Sequence, residues 1–332
     1  MRSPAGNASS PRAWLLALCA CFVAILAPEV RAQDFSGKPI RIIVGLVAGG
    51  ATDVMARLIA EKIGTGLNTP AYVDNRPGGL FIPAFRELTS APPDGHTLFM
   101  ISTSVLVTQP LHPDYPVDIR TMTPVTEVAS GPLILVARND LPIKTVADLI
   151  AYDHLHPGGL TFGSGGGTGS SMYLATELLK MRTGIQPVHV PYKGNAATLG
   201  DLLGGHIDLM FDAMPVMAAQ VKAGTVRPLI VTSAKRSPTL PEVPTAMEAG
   251  VPEFQVDGWF GLLAPPNTPP EVVKRLRDEV AKAVAAPDVV TQFATQGMEP
   301  VASEPAQWRD YIQSELDRWG KVISTAGIKV VD

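Results

Sequence analysis

Cysteine is almost absent from this chain of 332 residues. The two present, Cys19 and Cys21, both sit in one apolar run near the N-terminus. Beyond that run there is no thiol nucleophile, no disulfide framework and no cysteine pair for zinc. Charge is sparse as well: 17% of residues are charged and the formal net charge is -4. No dense Lys/Arg run could neutralise phosphates, and at 6% aromatics few platforms could stack bases, so nucleic acid is not an expected partner. Hydrolase signatures are missing too: neither G-x-S-x-G nor H-E-x-x-H occurs, and the six histidines are scattered. The glycine loops fail the dinucleotide fingerprint G-x-G-x-x-G at its last position, and no P-loop lysine follows. These absences argue against an enzyme and predict no cofactor and no metal. Disorder is excluded because 46% of residues are hydrophobic, enough buried surface to offset ordering entropy.

What is present begins with targeting. Arg2 and Arg12 flank a polar start, an apolar run spans Ala13 to Ala27, and Val30-Arg31-Ala32 offers small residues for cleavage. Residues 1–32 read as a secretory signal peptide processed after Ala32. The apolar run falls short of the roughly 20 residues a membrane span needs. Leu18 is too large for the position before a lipid-modified Cys19. The expected compartment is the periplasm.

The remainder alternates β-branched runs with amphipathic stretches, which predicts an α/β fold with mainly parallel sheet. Strands are expected at Ile40–Val44, Ala71–Asp74 and Thr97–Ser102, and in a second cycle at Leu133–Ala137, Thr161–Gly163, Val188–Val190, Ile207–Phe211 and Leu229–Thr232. Helices are expected near 52–67, 170–182, 196–203 and 216–223. After the apolar run Trp259–Ala264 come three more, near 270–285, 287–296 and 305–326, each opened by proline. Two α/β cycles followed by helices with no strands to pair imply a discontinuous first lobe, 33–131 plus 256–332. The second lobe is 132–255, and two crossovers form a hinge. Ligands favour such clefts.

The glycine loops carry the chemistry. Gly49-Gly50-Ala51-Thr52 lies between strand and helix, and so does Gly165 to Ser171. Helix N-termini at strand ends present free N–H groups and a positive dipole end to anions. Glycine lets the backbone approach a ligand, and the hydroxyls of Thr168, Ser170 and Ser171 can donate or accept. A tight turn explains Gly49-Gly50 as well as ligand contact does. Gly167 and Gly169 belong to a run richer in glycine and hydroxyls than a turn requires. Asp53 is either a cleft carboxylate or a helix-start carboxylate stabilised by the dipole. Asp212, after the buried run Leu209-Met210-Phe211, favours the cleft, because an unpaired acid there is costly. His154 and His156 read as a solvated turn, His189 and His206 as structural, Lys193 as a surface charge, and Trp259-Phe260 as hinge or core packing.

Several stretches together resemble the Bug-type periplasmic solute receptors, the substrate-binding proteins of tripartite tricarboxylate transporters. They are KPIRIIVGLVAGGATDVMARLIAEKIG, VDNRPGG, APPDGHTLFM, VPYKGNAATLGDLLGGHIDLMFD, LPEVPTAMEAGVPEF, WFGLLAPPNTPPEVVKRL and WGKVISTAGIK. The resemblance implies a two-lobed type II periplasmic-binding fold that closes on a small carboxylate or amino-acid ligand without converting it. By position it implies a carboxylate-binding turn from Ala48 to Asp53, opposed by Ser164 to Ser171, with Asp212 at the cleft. The chain departs from the family pattern at Ala48, where proline is usual, at Leu80-Phe81-Ile82-Pro83, and at Tyr173. These departures bear on ligand identity rather than fold. The implied partners are membrane transporter subunits or, alternatively, a membrane sensor kinase, with the receptor itself a monomer.

Overall fold

The structure, a computed structural model, describes residues 35, 37–165, 170–192, 194–295 and 297–328. The expected signal peptide, residues 1–32, lies outside the described residues, as do Gly167, Thr168 and Gly169.

Strand β1 (Ile40–Val44) is the β-branched run IRIIV, with four of its five side chains buried. It pairs in parallel with β2 (Ala71–Asn75) on one edge and β3 (Thr97–Ser102) on the other. Between β1 and β2, helix α1 (Ala51–Gly66) buries Met55, Ala56, Ile59, Ala60 and Ile63 on the sheet, the 3.6-residue spacing of a core-facing stripe. After β2 come helix α2 (Ile82–Ser90), then β3 and helix α3 (Thr103–Leu111).

Strand β4 (Thr123–Arg138) is 16 residues long and joins the two halves of the sheet. Its first part pairs antiparallel with β9 (Asp257–Ala264) and the short β10 (Glu299–Pro300). From Leu133 onward it runs between β7 (Leu209–Ala213) and β8 (Val226–Val231). A second parallel set, β7 with β5 (Thr161–Gly165) and β5 with β6 (Val188–Tyr192), completes the order β2-β1-β3-β9-β4-β7-β5-β6. The expected α/β class is thus met by a mixed sheet. Two parallel sets are fused through the antiparallel strands β4 and β9, because the chain returns across the sheet without a crossover helix.

Helices α4 (Val146–Leu155), α5 (Ser171–Thr183), α6 (Asn195–Leu203) and α7 (Met214–Lys222) belong to the second cycle. Helices α8 (Pro270–Val284), α9 (Pro287–Thr295) and α10 (Pro305–Ala326) close the chain. The last is fixed at both ends by a Glu304/Gln307 capping box and by Gly327 in a left-handed conformation. It spans two cores. Trp308, Ile312 and Leu316 pack with Phe99 and Leu263, while Trp319, Val322 and Ile323 pack with Leu135 and Phe162.

Candidate functional site

A cleft of about 1170 Å³ opens where the strands of both halves end and several helices begin. It receives the start of α1 at Ala51 and Thr52, of α3 at Ser102, Thr103 and Ser104, of α5 at Ser170, Ser171 and Met172, and of α6 at Asn195 and Ala196. The first N–H groups of each helix have no carbonyl partner within that helix, so several positive dipole ends face one volume. No lysine or arginine lines it among the described residues. An anion placed there is met by N–H groups and hydroxyls rather than by a cation.

The β1–α1 turn is braced from behind. Asp53 is buried, accepts from the Gly49 N–H at 2.9 Å, the Asn75 Nδ2 at 3.0 Å and the Arg57 Nε at 2.9 Å. Burial alone would raise its pKa, but these bonds outweigh it and hold the carboxyl below its usual range. Asn75 also donates to the Leu46 carbonyl at 3.1 Å. Asp53 thus braces the turn at the helix start and is not among the residues that line the cleft. Gly49 holds a φ of +87°, a conformation that glycine adopts without the Cβ penalty. Ala48, Gly49 and Gly50 are exposed and are not among the lining residues. Of the first turn's expected contacts, the structure brings Thr52 to the cleft.

On the opposite side, Ser170 and Ser171 line the cleft, and Ser170 caps α5 by accepting from the Tyr173 N–H at 3.3 Å. Ser164 is fully buried, with its hydroxyl 2.7 Å from the His189 Nε2. It is His189 that reaches the cleft. Burial and the nearby Lys180 lower the His189 pKa, so the imidazole is neutral at neutral pH. Gly165 is a close-approach glycine: a Cβ there would lie 2.1 Å from the Asn195 Oδ1 and 2.6 Å from its backbone nitrogen.

Asp212, at the end of β7, lines the cleft with 1% exposure. Its Oδ1 accepts from the Asn195 Nδ2 at 2.6 Å and from the Ala213 N–H at 2.7 Å. Its Oδ2 has no partner among the described residues. Burial pushes its pKa up to about 6, against the lowering effect of the two bonds.

The remaining wall is mostly apolar, with Thr108, His112 and Thr295 as its other polar members among the described residues. Leu80 and Phe81 line it with φ of +55° and +66°, backbone placements that cost about 1–2 kcal/mol each in non-glycine residues. The Tyr115 hydroxyl donates to the Leu80 carbonyl at 2.5 Å and holds this segment. The expected packing role of Trp259 fits its contacts: it is buried edge-on against Trp308, with ring centroids 5.2 Å apart, while also forming part of the cleft lining. Sequence reasoning missed Ser102-Thr103-Ser104, Asn195 and His189. For the first group a signal existed: three hydroxyl residues at the end of a buried strand, Ser102 in the N-cap position, mark a helix start.

This α/β frame, with a large cleft at strand ends and helix starts, matches the fold of solute-binding receptors. The family model described as "Tripartite tricarboxylate transporter family receptor" matches residues 55–328, and the chain belongs to that family. Its members are solute-binding receptors, not enzymes. Protein BugT of Bordetella pertussis is 35% identical over 95% of this chain and 98% of its own. A Rhodopseudomonas palustris protein solved with adipate is 35% identical, with a TM-score of 0.74 over 90% of this chain and 100% of its own. MatC from the same organism, solved with bound malate, is 31% identical with a TM-score of 0.72, covering 87% and 100%.

Proposed function

We propose that this protein is a periplasmic receptor that captures a small carboxylated solute for delivery to a tripartite transporter. Residues 33–131 with 256–332 form one lobe and residues 132–255 the other, with β4 and β9 as the crossovers between them. The observation that carries this reading is the convergence of helix starts from both halves of the sheet on one cleft without a lysine or arginine among its described lining residues. Thr52, Ser170, Ser171 and Asp212 are the ligand contacts expected from the sequence that lie on its wall. Asp53, Ser164 and Gly165 brace elements of that wall through their contacts with Gly49, His189 and Asn195, and Ala48, Gly49, Gly50, Gly167, Thr168 and Gly169 remain proposed contacts on the strength of the sequence alone. Relatives solved with adipate and malate support the ligand class.

Calorimetric titration of the purified protein with linear and hydroxylated carboxylates, adipate and malate included, tests the proposal. Saturable one-site binding of at least one, with the ligand recovered unchanged, is expected. Failure of the whole series to bind, or its conversion, would overturn the receptor reading.

A further inference from the structure

Two polar atoms on the cleft wall are buried and have no hydrogen-bond partner among the described residues: the Thr103 Oγ1 and the Asp212 Oδ2. Thr103 is 4% exposed and Asp212 1% exposed. They come from opposite halves of the sheet, one following β3 and the other ending β7. An orphaned buried polar atom is costly, and on the wall of a cleft a ligand group can satisfy it. Their chemistry differs. A threonine hydroxyl at a helix start can donate to a carboxylate, whereas an ionised carboxylate can only accept. Asp212 already spends its other oxygen on Asn195 and Ala213, so the free oxygen is fixed in direction. Much of the rest of the cleft lining is apolar, including Phe81, Leu111, Met172, Leu199 and Val216.

We infer that the ligand is a monocarboxylate with an apolar body that also carries a hydroxyl or ammonium donor, which Asp212 selects. The inference rests on the receptor reading above and narrows its ligand class. A second carboxylate brought to Asp212 would meet a like charge in a buried site, which disfavours it. Pairing the two would require Asp212 to take up a proton, a cost that a hydroxyl or ammonium donor does not incur.

The test is calorimetric titration at neutral pH of two matched series: hexanoate, ω-hydroxyhexanoate, ω-aminohexanoate and adipate; then benzoate, para-hydroxybenzoate, para-(aminomethyl)benzoate and terephthalate. In at least one series a donor-bearing member should bind roughly tenfold or more tightly than both its parent acid and its dicarboxylate, the scale of a hydrogen bond to a charged group. In Asp212→Asn the amide oxygen can keep the Asn195 and Ala213 bonds while the amide nitrogen becomes a donor. That preference should then reverse toward adipate or terephthalate. If in wild type the dicarboxylate or parent acid binds as well as the donor-bearing members in both series, the inference is overturned while the receptor reading stands. If the ranking is the same in wild type and Asp212→Asn, Asp212 is not the selector and the inference is likewise overturned. If no member of either series binds, the receptor reading fails and the inference with it.

Discussion

Asp212 is stabilised poorly by its own fold. Its pKa is raised from 3.8 to about 6 by burial, so the folded chain holds a proton there more tightly than the unfolded chain does. Stability linked to this group is therefore greatest below pH about 4 and falls as pH rises, the loss being complete above pH about 6. A shift of that size corresponds to roughly 3 kcal/mol. Asp212→Asn should accordingly raise the unliganded protein's stability at neutral pH by up to roughly that amount, with the gain vanishing near pH 4. Urea unfolding at the two pH values measures it, and an equal effect at both would refute the electrostatic cause. Gly165 shows the opposite kind of constraint, a steric one. In Gly165→Ala the new Cβ meets the backbone and side chain of Asn195, and over-packing of this kind costs about 1–3 kcal/mol. Urea unfolding should show that loss. Affinity should fall as well, because Asn195 is the partner that orients Asp212.

At the scale of elements, periodicity made most of the frame legible. β3 and α10 have the expected limits, and α1, α5, α6 and α8 lie within one or two residues of expectation. The first part of β4 was illegible because Pro124, Gly131 and Pro132 read as strand breakers. The structure absorbs the irregularity through register shifts between Pro124 and Thr126 and between Glu127 and Ala129, as bulged strands do. The left-handed pair Leu80 and Phe81 was equally hidden, since it is tertiary packing and the Tyr115 bond, not propensity, that hold it. Helix α10 is the element most exposed to test. Trp319 is fully buried and donates to the Glu315 Oε2 at 2.9 Å. Trp319→Ala should cost about 3–5 kcal/mol, as large cavities do. Because α10 packs into the cores of both halves, urea unfolding monitored by circular dichroism should remain one transition. Two separated transitions would show that the halves fold independently.

For the molecule as a whole, the resemblance of ordered motifs to a receptor family made the class legible, whereas the site was legible only in part. Thr52, Ser170, Ser171 and Asp212 were read from strand-end and helix-start positions, which sequence reveals. Thr103 carried a helix-start signal of the same kind that went unused, whereas His189 and Asn195 depend on how distant strands align, which the sequence pattern does not reveal. The account's central claim is that the cleft recognises a carboxylate through N–H groups and hydroxyls and not through a cation. The thermal unfolding midpoint with a bound carboxylate and with its neutral amide tests it most directly. At about one hundred times its Kd a carboxylate should stabilise the fold by about 2.7 kcal/mol. That corresponds to a midpoint rise on the order of 5 °C for a chain of this size. The amide at the same concentration should produce little shift; an equal rise with the amide would contradict anion capture.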